Sequence, residues 1–385
     1  MLRSISSLSL PVSDVSTVNP IIIHHLNDLT LGGTEKMVQI HLSHFIKDYT
    51  FDHYLAYKAQ GDKAREPYFK EILGQEKLLC YNSPSELLNI IQKKKPFILH
   101  RYSAGIPEFP FVAEIKKHTN HFISTSVFGD QDDTINISKV IYVSKHVQWM
   151  ADKVGNAEKG IFYPNHHVVR NPIEAPYSSD NLREELDIPK DAFVFGRIGR
   201  DDDNIYDPIN LQAYAKIECD NTYFVMVNPS SRARADVSRF GITHARFIER
   251  TTSEVRLSQF YNSIDVLAHS RKDGECNPAN VWEAFAHGKP AISHYAHPFN
   301  GHLEVIRECG FVVLKDDVDE YARIMKNFID GSIDYFKMSE KCINNWKKTC
   351  TPEIVGNIQL GIYKELLNEE SSNYRCRWFC RQSSC

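Results

Sequence analysis

Long apolar runs are missing from this 385-residue chain, as are paired cysteines, a strong excess of charge and the glycine fingerprint of dinucleotide enzymes. Each absence removes a class. No stretch approaches the roughly 20 apolar residues that span a bilayer, so a soluble chain is expected, with peripheral membrane contact left open. Nine cysteines are scattered, most without disulfide or zinc spacing, which fits free thiols in a reducing, cytoplasmic setting. Only Cys376, Cys380 and Cys385 cluster, in a basic aromatic tail (369–385) that lacks a fourth nearby metal ligand and is expected to be flexible. A net charge of -4 with pI near 6.5 gives no electrostatic basis for nucleic acid as a partner. No G-x-G-x-x-G follows the first strand, and GRIGRD at 196–201 lacks the third glycine, which disfavours a nicotinamide-dependent oxidoreductase.

What is present is a repeated alternation. The length suits two domains of ordinary size. After a Ser-rich extension (1–20), buried-strand patterns at IIIHHL, FDHYLAY, KLLCY, PFILHRY, HFISTSVF and KVIYVS alternate with helical ones such as REPYFKEIL, PSELLNIIQKK, FPFVAEIKKH and KHVQWMADKV. Such alternation predicts a doubly wound parallel sheet over 21–171. HVVRNPIEAPYSS then breaks the rhythm with two prolines and reads as an interdomain crossing. A second α/β run, 172–350, follows from AFVFGRIGR onward, and EIVGNIQLGIYKELLN (within 351–368) reads as a helix returning to the first domain.

The most informative stretch is Ile264 to Glu304. IDVLAHS reads as a buried strand, a charged loop follows, and Asn277 and Pro278 carry the signature of a helix start. VWEAFAH is helix-compatible, Gly288 suits the left-handed residue after the last turn, and Pro290 forbids continuation. The helix is expected over roughly 278–287. Glu275 in the loop and Glu283 on the helix both face the crevice at the helix N-terminus. A carboxylate there repels phosphate but suits the hydroxyls of a neighbouring diol such as ribose. Near the amino end, Gly32 and Gly33 join the first strand to a helix, a turn that lets backbone approach phosphate closely.

ECNPANVWE followed by AFAHGKP resembles the E-x7-E signature of family 4 of the retaining glycosyltransferases, whose members have the GT-B fold. The resemblance extends from Ile21 to about Asn368. It implies an α/β architecture of two Rossmann-like doubly wound domains facing a central cleft, and retaining transfer of a hexose-type sugar from a nucleotide-diphosphate donor. The acceptor would be a glycan, lipid or protein, with no cofactor and no metal. By residue, it implies that Glu283 holds the donor ribose and Glu275 lies against the transferred sugar. Arg200 grips the diphosphate, Arg250 lies in the base-binding segment, and Gly274, Cys276 and Asn277 complete the donor site. Gly32 and Gly33 line the cleft near the phosphates with Glu35 on the acceptor side, where Asn300 also falls.

Two departures from the family pattern stand out. The lysine usually found about five residues beyond the diphosphate arginine is Ile205 here, leaving Arg197, Arg271 and Lys272 as candidates for a second cation. The histidine many members carry after the fifth strand is absent from the Thr125–Phe128 region, so His100 is the candidate catalytic substitute, with Arg101 beside it toward the acceptor. The alternative is a catalytically inactive sugar-nucleotide-binding protein of the same fold. Asp201, Asp202 and Asp203 offer an Asp-x-Asp pattern that could hold a divalent cation, but they follow an arginine-bearing strand in the second domain, where side-chain cations and a helix N-terminus support phosphate instead.

Overall fold

The computed structural model describes residues 19–94, 97–103, 114–115, 117–119, 121–129, 137–156 and 166–382, with side chains left out at 103, 154–156, 308 and 369–382. Residues 1–18 of the Ser-rich extension, most of the helix expected at 109–118 and Cys385 lie outside the described residues, and Cys376 and Cys380 are described in backbone only, within the last helix.

Two parallel sheets form the frame. The first contains β1 (Ile21–His25), β2 (Asp52–Lys58), β3 (Leu78–Tyr81), β4 (Phe97–Ser103), β5 (Phe122–Ser126), β6 (Lys139–Tyr142) and β7 (His166–Val168), in the order β3-β2-β1-β4-β5-β6-β7. Strand β7 lies in the segment expected to be crossing chain; with three residues on the sheet edge it is too short to show a period. The second sheet contains β8 (Phe193–Ile198), β9 (Thr222–Val227), β10 (Ala245–Ile248), β11 (Val266–Ala268), β13 (Ala291–His294) and β15 (Gly310–Val313), ordered β10-β9-β8-β11-β13-β15. Two further short strands, β12 (Gly274–Glu275) and β14 (Phe299–Asn300), pair with each other outside it.

Helices cover both faces of each sheet, as parallel strands buried on two sides require. In the first domain these are α1 (Gly33–Phe45), α2 (Glu66–Leu73), α3 (Pro84–Ile91) and α4 (Lys145–Met150). Their starts follow local chemistry. Ser83 accepts a hydrogen bond from Glu86 N at 3.2 Å, and Glu86 returns one to Asn82 N at 2.8 Å. The second domain has α5 (Ile209–Ala215), α6 (Ser231–Arg239), α7 (Glu254–Ser263), α8 (Ala279–Ala286), α9 (Gly301–Cys309), α10 (Val318–Ile329) and α11 (Tyr335–Thr349). Helix α6 is polar over most of its length and buries only Ala233, Asp236 and Val237, and α9 begins at Asn300–Gly301, the position expected on the acceptor side of the cleft.

The last helix, α12 (Pro352–Gln382), places Val355, Leu360, Ile362, Tyr363 and Leu366 in the apolar core of the first domain, among Leu42, Phe45, Leu55 and Ile98. The chain therefore crosses between the domains twice. Ile173, in the first crossing, is tied to the second domain through its N–H to Cys350 O (2.7 Å) and its carbonyl to Trp346 Nε1 (3.0 Å). No described helix is long and apolar enough to cross a membrane.

Candidate active site

In a parallel sheet the carboxyl ends of the strands open a crevice where the strand order reverses. The first sheet reverses between β1 and β4 and the second between β8 and β11. The Gly32–Gly33 turn follows β1, Arg200 follows β8, and the loop from His269 to Asn277 follows β11. The two reversals share one cleft. A cavity of about 830 Å³ is lined by Thr30, Gly32 and Asp62 on one side and by Arg200, Arg234 and Arg250 on the other. Asp201 and Glu249 line the same cavity and Glu249 pairs with Arg234 at 2.6 Å, which leaves Arg200 and Arg250, facing the turn of a helix N-terminus, as the cations suited to an anionic ligand.

The glycine turn differs in detail from expectation. Gly32 caps α1 with an extended backbone, φ -72°. A Cβ there would lie 2.5 Å from Glu35 Oε2 and 2.9 Å from Thr30 Oγ1, so the close approach is made by the chain's own Glu35. At Gly33 a Cβ would meet no described atom within 4 Å. Burial raises the Glu35 carboxyl above its ordinary value, against the opposing effects of Thr30 and Arg65.

Glu275 sits on β12 rather than in an open loop. Gly274 has φ +72° and a Cβ would fall 1.7 Å from Phe299 O, so this pairing needs glycine. Arg271 Nη1 lies 3.2 Å from Glu275 Oε1, and His269 Nε2 lies 4.0 Å away. Burial works against the charge of Glu275, but His269 and Arg271 outweigh it and hold the carboxyl below its usual value. Arg271 also grips Asp273 at 2.5 and 2.9 Å, which accounts for its own charge.

Glu283, on α8, is held at both oxygens. Tyr261 Oη donates to Oε2 at 2.8 Å, while Lys36 Nζ, from α1 of the other domain, lies 3.3 Å from Oε1 and 2.9 Å from Glu254 Oε2. His287 stacks on Tyr261 with centroids 5.0 Å apart and donates from Nδ1 to Glu283 O at 2.7 Å. Lys36, Glu254, Tyr261 and Glu283 line one small pocket beside Tyr177.

Several expected residues prove to be placed otherwise. His100 is fully buried, with Nδ1 2.6 Å from Tyr363 Oη on α12 and Nε2 2.8 Å from Thr125 Oγ1, so it faces the core under α12 and not the cleft. Arg101, on the other face of β4, is 1% exposed and close enough to His25 to help lower the pKa of that ring, after burial, so it offers no open surface to an acceptor. The Cys276 side chain is 5% exposed and packs with the first domain's Ile23 and Leu99 cluster, bridging the domains instead of facing a ligand. Asn277 caps nothing: the residue before α8 is Pro278, and neither amide atom of Asn277 has a hydrogen-bond partner among the described residues, although both are sealed from solvent. The Asn300 amide closes on Ala296 at both ends, accepting at 3.0 Å and donating at 2.8 Å, which fixes its own loop. Asp203 caps α6 through Ser231 Oγ (2.7 Å) and Arg232 N (2.9 Å), and Asp202 holds Asn204 N at 2.9 Å. Of the second-cation candidates, Arg197 is buried over the Tyr206 ring at 5.2 Å and Arg271 is committed to Asp273 and Glu275.

Lys36, Glu254, Tyr261 and Arg234 were not singled out in the sequence. Lys36 did leave a trace there. A cation in the first turn of a helix opposes the helix dipole, and such a local conflict points to a partner elsewhere in the fold.

Two Rossmann-like domains, joined by a terminal helix that returns to the first, constitute the GT-B fold of glycosyltransferases. Residues 178–349, most of the second domain, match the family model described as Glycosyl transferases group 1. A glycosyltransferase from Rickettsia africae ESF-5 superposes with a TM-score of 0.72 at 16% identity, covering 91% of this chain and 99% of that one. Anabaena HepE, solved with UDP and glucose, gives 0.69 at 14% identity over 90% of this chain and 100% of that one. The pneumococcal O-GlcNAc transferase GtfA, solved with UDP and GlcNAc, gives 0.67 at 9% over 91% and 99%. No curated protein matches the chain by sequence.

Proposed function

We propose that the protein is a retaining glycosyltransferase that moves a hexose-type sugar from a nucleotide-diphosphate donor to a glycan, lipid or protein acceptor, without a metal. One observation carries the reading: the turn opening α1 faces Arg200 and Arg250 across the cleft, and in the first turn of the same helix Lys36 meets Glu283. Helix α1 thus borders both the arginine-lined cavity, suited to a diphosphate, and the pocket holding the carboxylate read as the ribose ligand. The match of the second domain to group 1 glycosyl transferases supports the same reading, as do UDP and sugars bound by structural neighbours.

In this mechanism Arg200 neutralises charge developing on the departing diphosphate, with Arg250 beside it as the second cation that Ile205 cannot supply; Arg234 is paired with Glu249 at 2.6 Å. Glu283 accepts hydrogen bonds from the ribose hydroxyls. Glu275, held ionised by Arg271 and His269, is placed against the transferred sugar.

The test is a thermal-shift panel of nucleotide sugars followed by donor turnover. A ligand at about a hundred times its dissociation constant stabilises by ~2.7 kcal/mol. Stabilisation with slow donor hydrolysis supports the enzyme. Stabilisation without hydrolysis or transfer supports the inactive binding protein, and no stabilisation by any nucleotide sugar refutes both.

A further inference from the structure

Lys36 reaches out of the first domain to two carboxylates of the second, at 2.9 Å from Glu254 and 3.3 Å from Glu283. Its neighbours give it no local reason to be there, since it lies in the first turn of α1, where the dipole disfavours a cation. Burial also works against its charge, yet the two carboxylates outweigh burial and hold the ammonium well above its ordinary pKa. Glu254, by contrast, opens α7 and is favoured by that helix's dipole. Tyr261 Oη takes the other oxygen of Glu283 at 2.8 Å, and the ring stacks on His287, itself bound to Ser258 Oγ at 2.8 Å. The Glu283 carboxylate is therefore clamped, one oxygen from each domain.

We propose that Lys36 is a positioning residue for recognition of the donor's ribose diol. This rests on the reading of Glu283 as the ribose ligand. A carboxylate offers about four lone-pair directions, and the clamp occupies one on each oxygen. The remaining pair is fixed in orientation and presented to two adjacent hydroxyls, a bidentate arrangement that a freely rotating glutamate presents only part of the time. Because the clamp closes between domains, diol recognition is coupled to their apposition. Glu254 keeps the ammonium in place while Glu283 engages the ligand.

The experiment compares UDP, ADP and GDP with their 2′,3′-dideoxy counterparts by calorimetry on the full chain, using the wild type, Lys36→Met, Lys36→Arg and Glu283→Gln. Melting temperatures check that each variant folds. For the base that binds best, the wild type prefers the ribonucleotide by about tenfold or more, as hydrogen bonds to a charged group imply. Lys36→Met loses most of that preference with dideoxy affinity within about threefold of wild type, Lys36→Arg retains it, and Glu283→Gln weakens it further. An unchanged ratio in Lys36→Met, or an equal loss for both ligands, overturns the role of Lys36 and leaves it an interdomain strut. Failure of all three diphosphates to bind the wild type overturns the donor reading itself.

Discussion

Acid should destabilise the first domain through its buried histidines. His24, His41, His53 and His100 are buried between the sheet and helices α1 and α12, stacked with Phe45 and Tyr102 and meeting Tyr363 edge-on. His24 Nε2 and His53 Nδ1 share a hydrogen bond of 3.0 Å, and His24 Nδ1 meets Tyr102 Oη at 3.1 Å. Burial lowers all four pKa values, to about 3 for His41 and about 4 for His53, and well below the ordinary range for His24 and His100. The charged groups facing His53, namely Asp52, Lys77 and Asp48, do not reverse this. A depressed folded pKa means that the unfolded chain binds more protons, so stability is full above the unfolded value near 6.5 and is lost as the pH falls toward the folded values. At pH 5 the folded rings are still neutral, so each loses about 2 kcal/mol, from 1.36 kcal/mol per unit over roughly 1.5 units. Four rings together lose about 8 kcal/mol, comparable to the whole stability of a typical domain. Denaturant unfolding followed from pH 7 to pH 5 should show this loss, with uptake of about four protons by this cluster. His41→Leu is the informative variant, because His41 Nδ1 has no partner among the described residues. It should recover about 2 kcal/mol at pH 5 and little at pH 7. Parallel pH profiles for variant and wild type, or a stability that is flat between pH 7 and 5, would refute the reasoning.

Other expectations concern the cleft. Glu283→Ala should weaken nucleotide sugar and free nucleoside diphosphate alike, by ~1.5–3 kcal/mol in calorimetry, whereas Glu275→Ala should weaken only the sugar-bearing donor. Unchanged diphosphate affinity in Glu283→Ala refutes its assignment. Arg200→Ala should lower turnover about a hundredfold or more, and a rate within threefold of wild type would move the leaving-group role elsewhere. Turnover that survives exhaustive chelation agrees with a metal-free reaction; activity lost on chelation, regained with manganese and absent from Asp201→Ala/Asp203→Ala would bring those aspartates into the site. Gly274→Ala forces a Cβ against Phe299 O at a positive φ, so it should separate β12 from β14 and impair activity; full activity would show that the pairing is dispensable.

Local chemistry made much of this molecule legible in the sequence. Short, largely apolar runs bounded by turns marked most strands of both sheets, because strands buried on two faces are rich in apolar residues. Gly288 and Pro290 marked the end of α8, since glycine takes a left-handed backbone without steric cost and proline lacks the N–H a helix needs; Gly288 has φ +69°. Glu275, Glu283, Arg200 and Gly32 were singled out through the resemblance to family 4 glycosyltransferases, which their places in the loops and helix that follow the strands of a doubly wound sheet support.

The tertiary structure decided what those side chains face. Strand alternation places His100 and Arg101 on opposite faces of β4 but does not say which face a later helix will cover; α12, arriving 263 residues beyond His100, buries it with Tyr363. The Asn277 sequence favours a cap, yet the helix starts after Pro278 and leaves the amide to the interior. Lys36 meets carboxylates 218 and 247 residues away, a pairing set by how two domains close and not by anything in its neighbourhood. Propensity and periodicity act over a few residues, while ion pairs between domains and the burial of polar rings depend on the whole path of the chain.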